Sequence, residues 1–302
     1  KRTTQRGIRH ALHPLQRRYR VDHLMLNRRR LNDTFYTDTL FSKVKSMNGN
    51  TCAQVYSNGS FTKVFPMPDK TGARVGQMLT DFADDVGIPD TLVMDLAPEQ
   101  AGKHTEMQKE ARRLRVRIRF TEKGRSEQNH TAEGEIGQLK RRWKHRMTTK
   151  NVPRCLWDYG LVHEAEVLSI LARGKDQVPG LEKVLGQTID ISEYLDFGIW
   201  DLVWYWDQSK TSDMSDEQKK LGRWLGIAHR VGSEMTYWIL TEHCKVIARS
   251  TVQHVLFADL QQETVKAKAT RFERVIDESL RGRETIVNVP NVFYLDDEDT
   301  PD

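Results

Sequence analysis

Three carboxylates in this chain have the residue types and spacing of a metal-dependent phosphoryl-transfer site. Asp38 lies within a strand-like run, Asp95 closes a short apolar strand, and Glu133 comes early in a long basic helical segment. Anions brought together repel one another without a cation, so we expect them to hold two magnesium or manganese ions. Such a pair, about 4 Å apart, activates an attacking oxygen and stabilises the leaving oxygen of a phosphate. Asp38 is predicted to bridge both ions.

The helical segment from Thr131 to Thr149 places lysines on the same face as Glu133. Lys140 and Lys144 follow that glutamate by two and three helical turns, and Arg141 lies beside them. Cations beside a metal-binding carboxylate would neutralise the phosphates of a DNA backbone. The segment therefore predicts a DNA-binding surface, although an amphipathic helix with a solvated basic face has the same pattern.

Composition agrees with a globular protein that has a polyanionic partner. The 302 residues are 38% hydrophobic, enough for a substantial core, and the net charge is +5. The first thirty residues are strongly basic, whereas residues 296–299 are all acidic. This asymmetry favours nucleic acid as the partner, with a solvated charged surface as the alternative.

Cysteine usage and hydropathy indicate the compartment. Cys52, Cys155 and Cys244 are odd in number and far apart, so neither a disulfide framework nor a Cys-x-x-Cys metal site is indicated. No signal-peptide core and no apolar run of membrane-spanning length occurs. We expect an intracellular protein, nuclear or cytoplasmic, without a membrane partner. The start at Lys1, without Met, hints at a piece of something longer.

The order of elements predicts an α/β fold. Asn58-Gly59 is a strong hairpin signal, so the second and third strands should be antiparallel. Alternating helices and strands follow, which gives a mixed five-stranded sheet flanked by helices, of the RNase-H-like type, with the first and fourth strands adjacent. From Ile199 short aromatic strands predict a small all-β barrel with its own core. The predicted strands are Thr34–Phe41, Thr51–Tyr56, Phe61–Phe65, Leu92–Asp95 and Val116–Phe120, then Trp200–Trp206, Trp224–Arg230, Thr236–Thr241 and Lys245–Thr251.

Five segments follow from these patterns. They are a basic N-terminal segment (1–30), an RNase-H-like catalytic core (31–175), a linker (176–198), the barrel (199–257), and a polar tail with one helix around Ala269–Leu280 and an acidic end (258–302).

The core from Asp33 to Arg173 resembles the integrase of copia-type long-terminal-repeat retrotransposons and, more distantly, retroviral integrases and other transposases with a D-D-E triad. Gln128-Asn129-His130-Thr131-Ala132-Glu133 is similar to the family's Gln-Asn-Gly-Val-Ala-Glu, which ends in the catalytic glutamate. Asp95 with Glu99 is similar to its Asp-Asn-Gly-x-Glu. The second domain carries three further matches: Leu225–Gly232, Tyr237–Leu240 and Val246–Val252.

This resemblance implies 3′-end processing of the element's DNA, then strand transfer into target DNA, both at the D-D-E site. Gln128 and Asn129 would lie near the DNA end, and the protein would act at least as a homodimer. The barrel would contact DNA or a second protomer, and its implied phosphate contacts are Arg223, Arg230, Lys245 and Arg249.

The sequence also departs from the family pattern. The zinc module expected at the N-terminus is absent or truncated, so no zinc is expected in this segment; Leu96-Ala97 replaces Asn-Gly, and Gly134 replaces the arginine after the glutamate. Two alternatives stay open. One is an RNase-H-like nuclease that stops at hydrolysis, and the other is a catalytically inactive relic or domesticated DNA-binding protein.

Overall fold

The first half of the molecule is built on a mixed five-stranded sheet. The computed structural model describes residues 28–95, 105–122, 130–173, 176–207, 219–232, 235–282 and 284–287. The strands run in the order β3-β2-β1-β4-β5; β1 and β2 are antiparallel, as are β2 and β3, whereas β1–β4 and β4–β5 are parallel. The predicted mixed sheet, with its first and fourth strands adjacent, is confirmed. The strands are β1 Arg30–Phe41, β2 Cys52–Ser57, β3 Thr62–Met67, β4 Ile88–Met94 and β5 Arg117–Phe120.

A tight turn between β2 and β3 sets the register of the hairpin. Gly59 has φ +87°, in the left-handed region that glycine adopts without strain. Oδ1 of Asn58 accepts hydrogen bonds from the backbone N–H of Ser60 at 3.1 Å and of Phe61 at 2.8 Å. The turn predicted from the Asn-Gly pair is therefore present.

Helices cover both faces of this sheet, as predicted. On one face lie α1 (Gly72–Asp85) and α2 (Glu106–Leu114), which begin at capping threonines. Their apolar sides pack on Phe35 and other residues of the sheet. On the opposite face lie α3 (His130–Lys150) and, after a single 3₁₀ turn, α4 (Trp157–Ile170).

Helices α3 and α4 approach closely at one glycine. A β-carbon added at Gly160 of α4 would lie 2.0 Å from Cζ3 of Trp143 of α3. The buried indole therefore occupies the space that any larger side chain at position 160 would need. This contact sets the position of α3 against α4.

A second sheet of five antiparallel strands follows two short helices, α5 (Gly180–Leu185) and α6 (Ser192–Leu195). Where the sequence predicted a strand at Trp224–Arg230, the structure has a strand at Lys219–Ile227. It starts earlier because Lys219 and Lys220 pair with the preceding strand. The order is β10-β6-β7-β8-β9. These strands are β6 Leu202–Trp206, β7 Lys219–Ile227, β8 Tyr237–Thr241, β9 Val246–Arg249 and β10 Val252–His254.

The hydrophobic core of the second sheet is continuous with the α3/α4 side of the first. Trp224 and Ile239 belong to the same buried cluster as Trp143 and Leu161. The prediction of a separate core for the second sheet is therefore wrong. Strand patterns in the sequence do not show that α4 packs against the second sheet as well as the first.

The segment after the second sheet also contributes to this core. It contains α7 (Phe257–Leu260) and α8 (Glu263–Arg281), and α8 buries Phe272 and Ile276 in the shared cluster. Helix α8 is longer than predicted. Beyond it, Ile286 forms an antiparallel bridge with Val44, so the chain returns to the first half of the molecule. None of the helices in the described ranges combines the length and apolar character needed to cross a membrane.

Candidate active site

The sheet brings Asp38 and Asp95 side by side. In the parallel pair β1–β4, Thr37 lies opposite Met94. Asp38 follows Thr37 and Asp95 follows Met94, so the two aspartates are neighbours. Side chains alternate between the faces of a strand. Leu40 of β1 packs in the α3/α4 core, whereas Met94 packs in the α1/α2 core. Both aspartates therefore point to the face that α3 covers.

Helix α3 carries Glu133 in its first turn above that face. The side chain is exposed, while Ala132, Leu139 and other residues on the inner side of the helix are buried. Glu135, two residues further on, fixes this turn. Its Oε2 accepts a hydrogen bond from Thr62 Oγ1 at 2.9 Å, and its carboxylate pairs with Arg173 at 3.1 Å.

Electrostatic coupling links the three carboxylates. Burial raises the pKa of Asp38 to about 6, and the charges of Asp95 and Glu133 add to that effect. The backbone N–H of Thr39, 2.7 Å from Oδ1 of Asp38, and the ammonium group of Lys70 act in the opposite direction. Although its side chain is largely exposed, the pKa of Glu133 is raised by partial desolvation and by the charge of Asp95. The three side chains predicted from the sequence thus lie within electrostatic range of one another.

The donor set suits a divalent cation, but its atoms are not gathered into a ligand cluster. Three carboxylates, one with a pKa near 6, form an anionic group of the kind that hard cations such as Mg²⁺ bind. Among the described residues, no group of three or more His, Cys, Asp or Glu side chains is arranged to hold a metal ion. The chemistry of the residues therefore fits such an ion, whereas their arrangement here is not that of a ligand cluster.

Two neighbours of the carboxylates were not predicted from the sequence. Thr121, just after β5, donates a hydrogen bond from Oγ1 to Oδ1 of Asp95 at 2.8 Å, and its backbone N–H donates to the carbonyl of Met94 at 3.1 Å. Lys70, beyond β3, lies with Nζ 5.7 Å from the ring centroid of Phe41 and lowers the pKa of Asp38. Thr121 and Lys70 are brought to the aspartates by the folding of the sheet, and nothing in the sequence around either residue indicates this.

The basic residues of α3 divide between two directions. Arg141 and Lys144 are exposed and Lys140 is half-buried, on the side of the helix that carries Glu133. Arg142 and Arg146 turn the other way, and their Nε atoms lie 2.7 and 3.0 Å from the fully buried carboxylate of Glu164 on α4. Arg141 and Lys144 therefore leave charge available to an external anion, whereas Arg142 and Arg146 do not.

The four predicted phosphate contacts of the second domain differ in their surroundings. Arg223 is largely buried, donates to the carbonyl of Trp200, forms an ion pair with Glu273 and stacks 5.1 Å from the Trp200 ring centroid. These contacts disfavour the predicted phosphate contact, because the guanidinium already binds groups within the fold. Arg230 is exposed and paired with Asp85. Gln128 and Asn129, predicted near a DNA end, lie outside the described residues.

Lys245 and Arg249 line a groove of about 760 Å³ between the second sheet and α8. Among the described residues, six cationic side chains and two carboxylates line the groove, so the positive charges outnumber the negative ones there. One carboxylate, Asp207, lies 2.6 Å from Lys220 and 3.7 Å from Arg249. We call this feature the basic groove; its cationic residues are Lys219, Lys220, Lys245, Arg249, Lys268 and Arg271.

Comparisons with known proteins find matches among solved structures. No protein-family model matches the sequence, and no curated protein matches it. The chain is similar to a chain in the cryo-electron-microscopy structure of the simian T-cell lymphotropic virus intasome in complex with PP2A regulatory subunit B56 gamma. Sequence identity is 14%, the match covers 76% of this chain and 81% of that chain, and the TM-score is 0.42. A similarity of this size identifies neither a family nor an activity for this chain.

Proposed function

We propose that this chain is the catalytic core and C-terminal domain of a copia-type retrotransposon integrase with an RNase-H-like fold. It would process the 3′ ends of element DNA and join them to target DNA. The observation that carries the proposal is the placement of Asp38 and Asp95 on neighbouring parallel strands, with Glu133 in electrostatic range. The sequence motifs around Asp95 and Glu133 support the same assignment.

Asp38, Asp95 and Glu133 are the residues that would hold two divalent ions. When bound, such ions activate the attacking oxygen and stabilise the leaving oxygen of a phosphodiester. Thr121 holds Asp95 by its hydrogen bond, and the buried Glu135 fixes the turn that carries Glu133. Lys70 lies near enough to Asp38 to lower its pKa, so its charge would favour a phosphate that approaches the site.

Two basic surfaces would hold the DNA backbone. The first is the exposed side of α3, with Arg141 and Lys144 on the side of Glu133. The second is the basic groove, where cations outnumber carboxylates among the lining residues that the structure describes. Contacts of this kind neutralise phosphates without reading sequence and weaken as salt concentration rises. We further propose that the protein acts at least as a dimer, which light scattering on the purified chain would test.

The test is a strand-transfer assay with labelled element-end DNA and a target plasmid. Asp95→Asn and Glu133→Gln should abolish Mg²⁺-dependent joining while DNA binding, measured by fluorescence anisotropy, persists. Asp90→Asn is a matched control, because Asp90 lies on the same strand and pairs only loosely with Arg30 and Arg117. Substantial joining by either triad variant would refute the assignment. Hydrolysis without joined products would favour the RNase-H-like nuclease instead.

A non-catalytic DNA-binding role is the second candidate. It is favoured by one observation: within the described residues the acids do not form a metal-ligand cluster. In that case DNA binding would ignore Mg²⁺ and Asp95→Asn, and it would fall when cations of the basic groove, such as Lys245 and Lys268, are changed to glutamate. A joined product from the wild-type chain would exclude this candidate.

A further inference from the structure

A cavity of about 250 Å³ lies where α4 meets the second sheet. Val162 of α4, Leu225 of β7 and Trp238 of β8 form apolar walls, while Asp158 and Glu166 of α4 supply carboxylates. None of the three candidate catalytic carboxylates is among its lining residues. The volume lies just below that of pockets for drug-sized molecules, so the cavity suits a small ligand.

Asp158 is a buried carboxylate whose hydrogen-bond donors are neutral. Its side chain belongs to a residue that is 2% exposed. Oδ2 accepts from the side-chain amides of Asn48 at 2.9 Å and Asn50 at 3.0 Å, and Oδ1 accepts from the backbone N–H of Tyr159 at 3.0 Å. No lysine or arginine is among the described residues that line the cavity. A buried negative charge without a cationic partner is unfavourable. A cation bound in the cavity would supply the partner that Asp158 lacks.

Glu166, the second carboxylate of the cavity, already has cationic partners. Its Oε1 lies 2.9 Å from Nε2 of His229 and 3.8 Å from Nζ of Lys63. Burial opposes ionisation of Glu166, but these partners hold its pKa below the usual value. The charge of Glu166 is thus balanced from outside the cavity. Asp158 has only neutral donors among the described residues, and burial raises its pKa, so a cation placed against it would favour its ionised form.

The rest of the wall suits the body of an organic cation. Trp238 and Tyr159 offer aromatic surface, and aromatic rings attract cations through the negative potential of their faces. His163 also lines the cavity, and its buried Nδ1 has no hydrogen-bond partner among the described residues. A buried polar atom in this state is a second sign that the polar wall is incomplete.

We propose that this cavity binds a small organic cation, an alkylammonium of a few carbon atoms. The ammonium group lies against Asp158, and the alkyl part lies against Val162, Leu225 and Trp238. Such a site is separate from the proposed DNA chemistry and does not rest on it.

The test uses butylammonium chloride as the cationic probe and butanol as a neutral probe of similar size. Titration calorimetry on the whole chain, at constant ionic strength, should give a dissociation constant for butylammonium of roughly millimolar. Butanol should bind at least about tenfold more weakly, because it lacks the charge that Asp158 would bind. This comparison needs no variant. Equal affinity for the two probes, or no binding of butylammonium well above millimolar concentration, would overturn the proposal.

Two variants add specificity. Asp158→Asn keeps an oxygen that can accept from Asn48 and Asn50 but removes the charge, so the preference for butylammonium should disappear. Val162→Phe should fill the cavity and abolish binding. Its matched control is Val167→Phe, because Val167 is also half-buried on α4 but does not line the cavity. Unchanged binding in a folded Asp158→Asn variant, checked by circular dichroism, would also refute the inference.

Discussion

Replacing Gly160 by alanine should destabilise the protein by pressing α4 against α3. The added β-carbon would lie 2.0, 2.3 and 2.4 Å from Cζ3, Cη2 and Cε3 of Trp143, well inside the distance at which carbon atoms touch. Trp143 is fully buried, so the indole has no free space to enter. Helix α3 also carries Glu133, so a displacement of α3 would reach the candidate active site.

The size of the effect follows from two opposing contributions. Alanine is favoured over glycine inside a helix by about 1 kcal/mol. Overpacking a filled core costs typically about 1–3 kcal/mol and occasionally more, and three contacts this short fall at the upper end. We therefore expect Gly160→Ala to lower the free energy of unfolding by a net ~2–3 kcal/mol. Gly134→Ala is a matched control, because no atom of the described part of the chain lies within 4 Å of its added β-carbon. It should raise that free energy by roughly 0.5–1 kcal/mol.

Urea unfolding followed by circular dichroism measures both variants. A double-mutant cycle with Trp143→Leu isolates the contact, since the smaller side chain removes the ring atoms that clash. The cycle should give a coupling energy of at least about 1 kcal/mol. If Gly160→Ala behaves like Gly134→Ala, or if the two core changes are simply additive, the proposed steric contact between α3 and α4 is wrong.

Three further predictions concern ionised and hydrogen-bonded side chains. Because the pKa of Asp38 is raised to about 6, the folded state binds its proton more tightly than the unfolded state. Ionisation of Asp38 therefore costs stability progressively as the pH rises from about 4 to about 6, and in full above that range. In urea unfolding with a metal chelator present, Asp38→Asn should therefore be about 2–3 kcal/mol more stable than wild type at pH 7.5, and this difference should fade toward pH 4. A difference in stability that does not depend on pH would contradict this. Thr121→Val should weaken Mn²⁺ binding by about tenfold or more in a calorimetric titration, because Asp95 loses its hydrogen-bond donor; unchanged affinity would exclude that role. Glu164→Gln should lower the free energy of unfolding by about 3 kcal/mol in urea, because two guanidinium groups lose their buried partner, and wild-type stability would refute it.

Local patterns were sufficient for much of the first sheet. The Asn58-Gly59 turn and the strand-like run around Asp38 both depend on residues that are close together in the chain. Asp38 and Asp95 could be predicted as neighbours because element order, together with the rules of parallel pairing, leaves few sheet topologies. The metal positions and the DNA contacts stay predictions.

Contacts made outside the pairing of β1 with β4 by elements far apart in the sequence could not be predicted. The pairing of Arg223 with Glu273 depends on α8 lying across the second sheet, and nothing near either residue in the sequence indicates it. The sequence alone does not distinguish Thr121 from the other threonines, because its contact with Asp95 follows from the pairing of β5 with β4. The shared core, and with it the cavity at Asp158, arises from the docking of α4 on β7, which is a property of two surfaces rather than of one segment.

The return of the chain from α8 to Val44 has a consequence for folding. The backbone N–H of Lys45 donates to the carbonyl of Thr285 at 2.9 Å, and that of Val287 donates to the carbonyl of Lys43 at 2.6 Å. These partners stand at opposite ends of the described polypeptide, so a ribosome must release almost all of it before they can meet. The entropy of closing so long a loop grows only slowly with its length, but the search for such remote partners is slow. This pairing therefore forms late, after both sheets of the described chain have been synthesised.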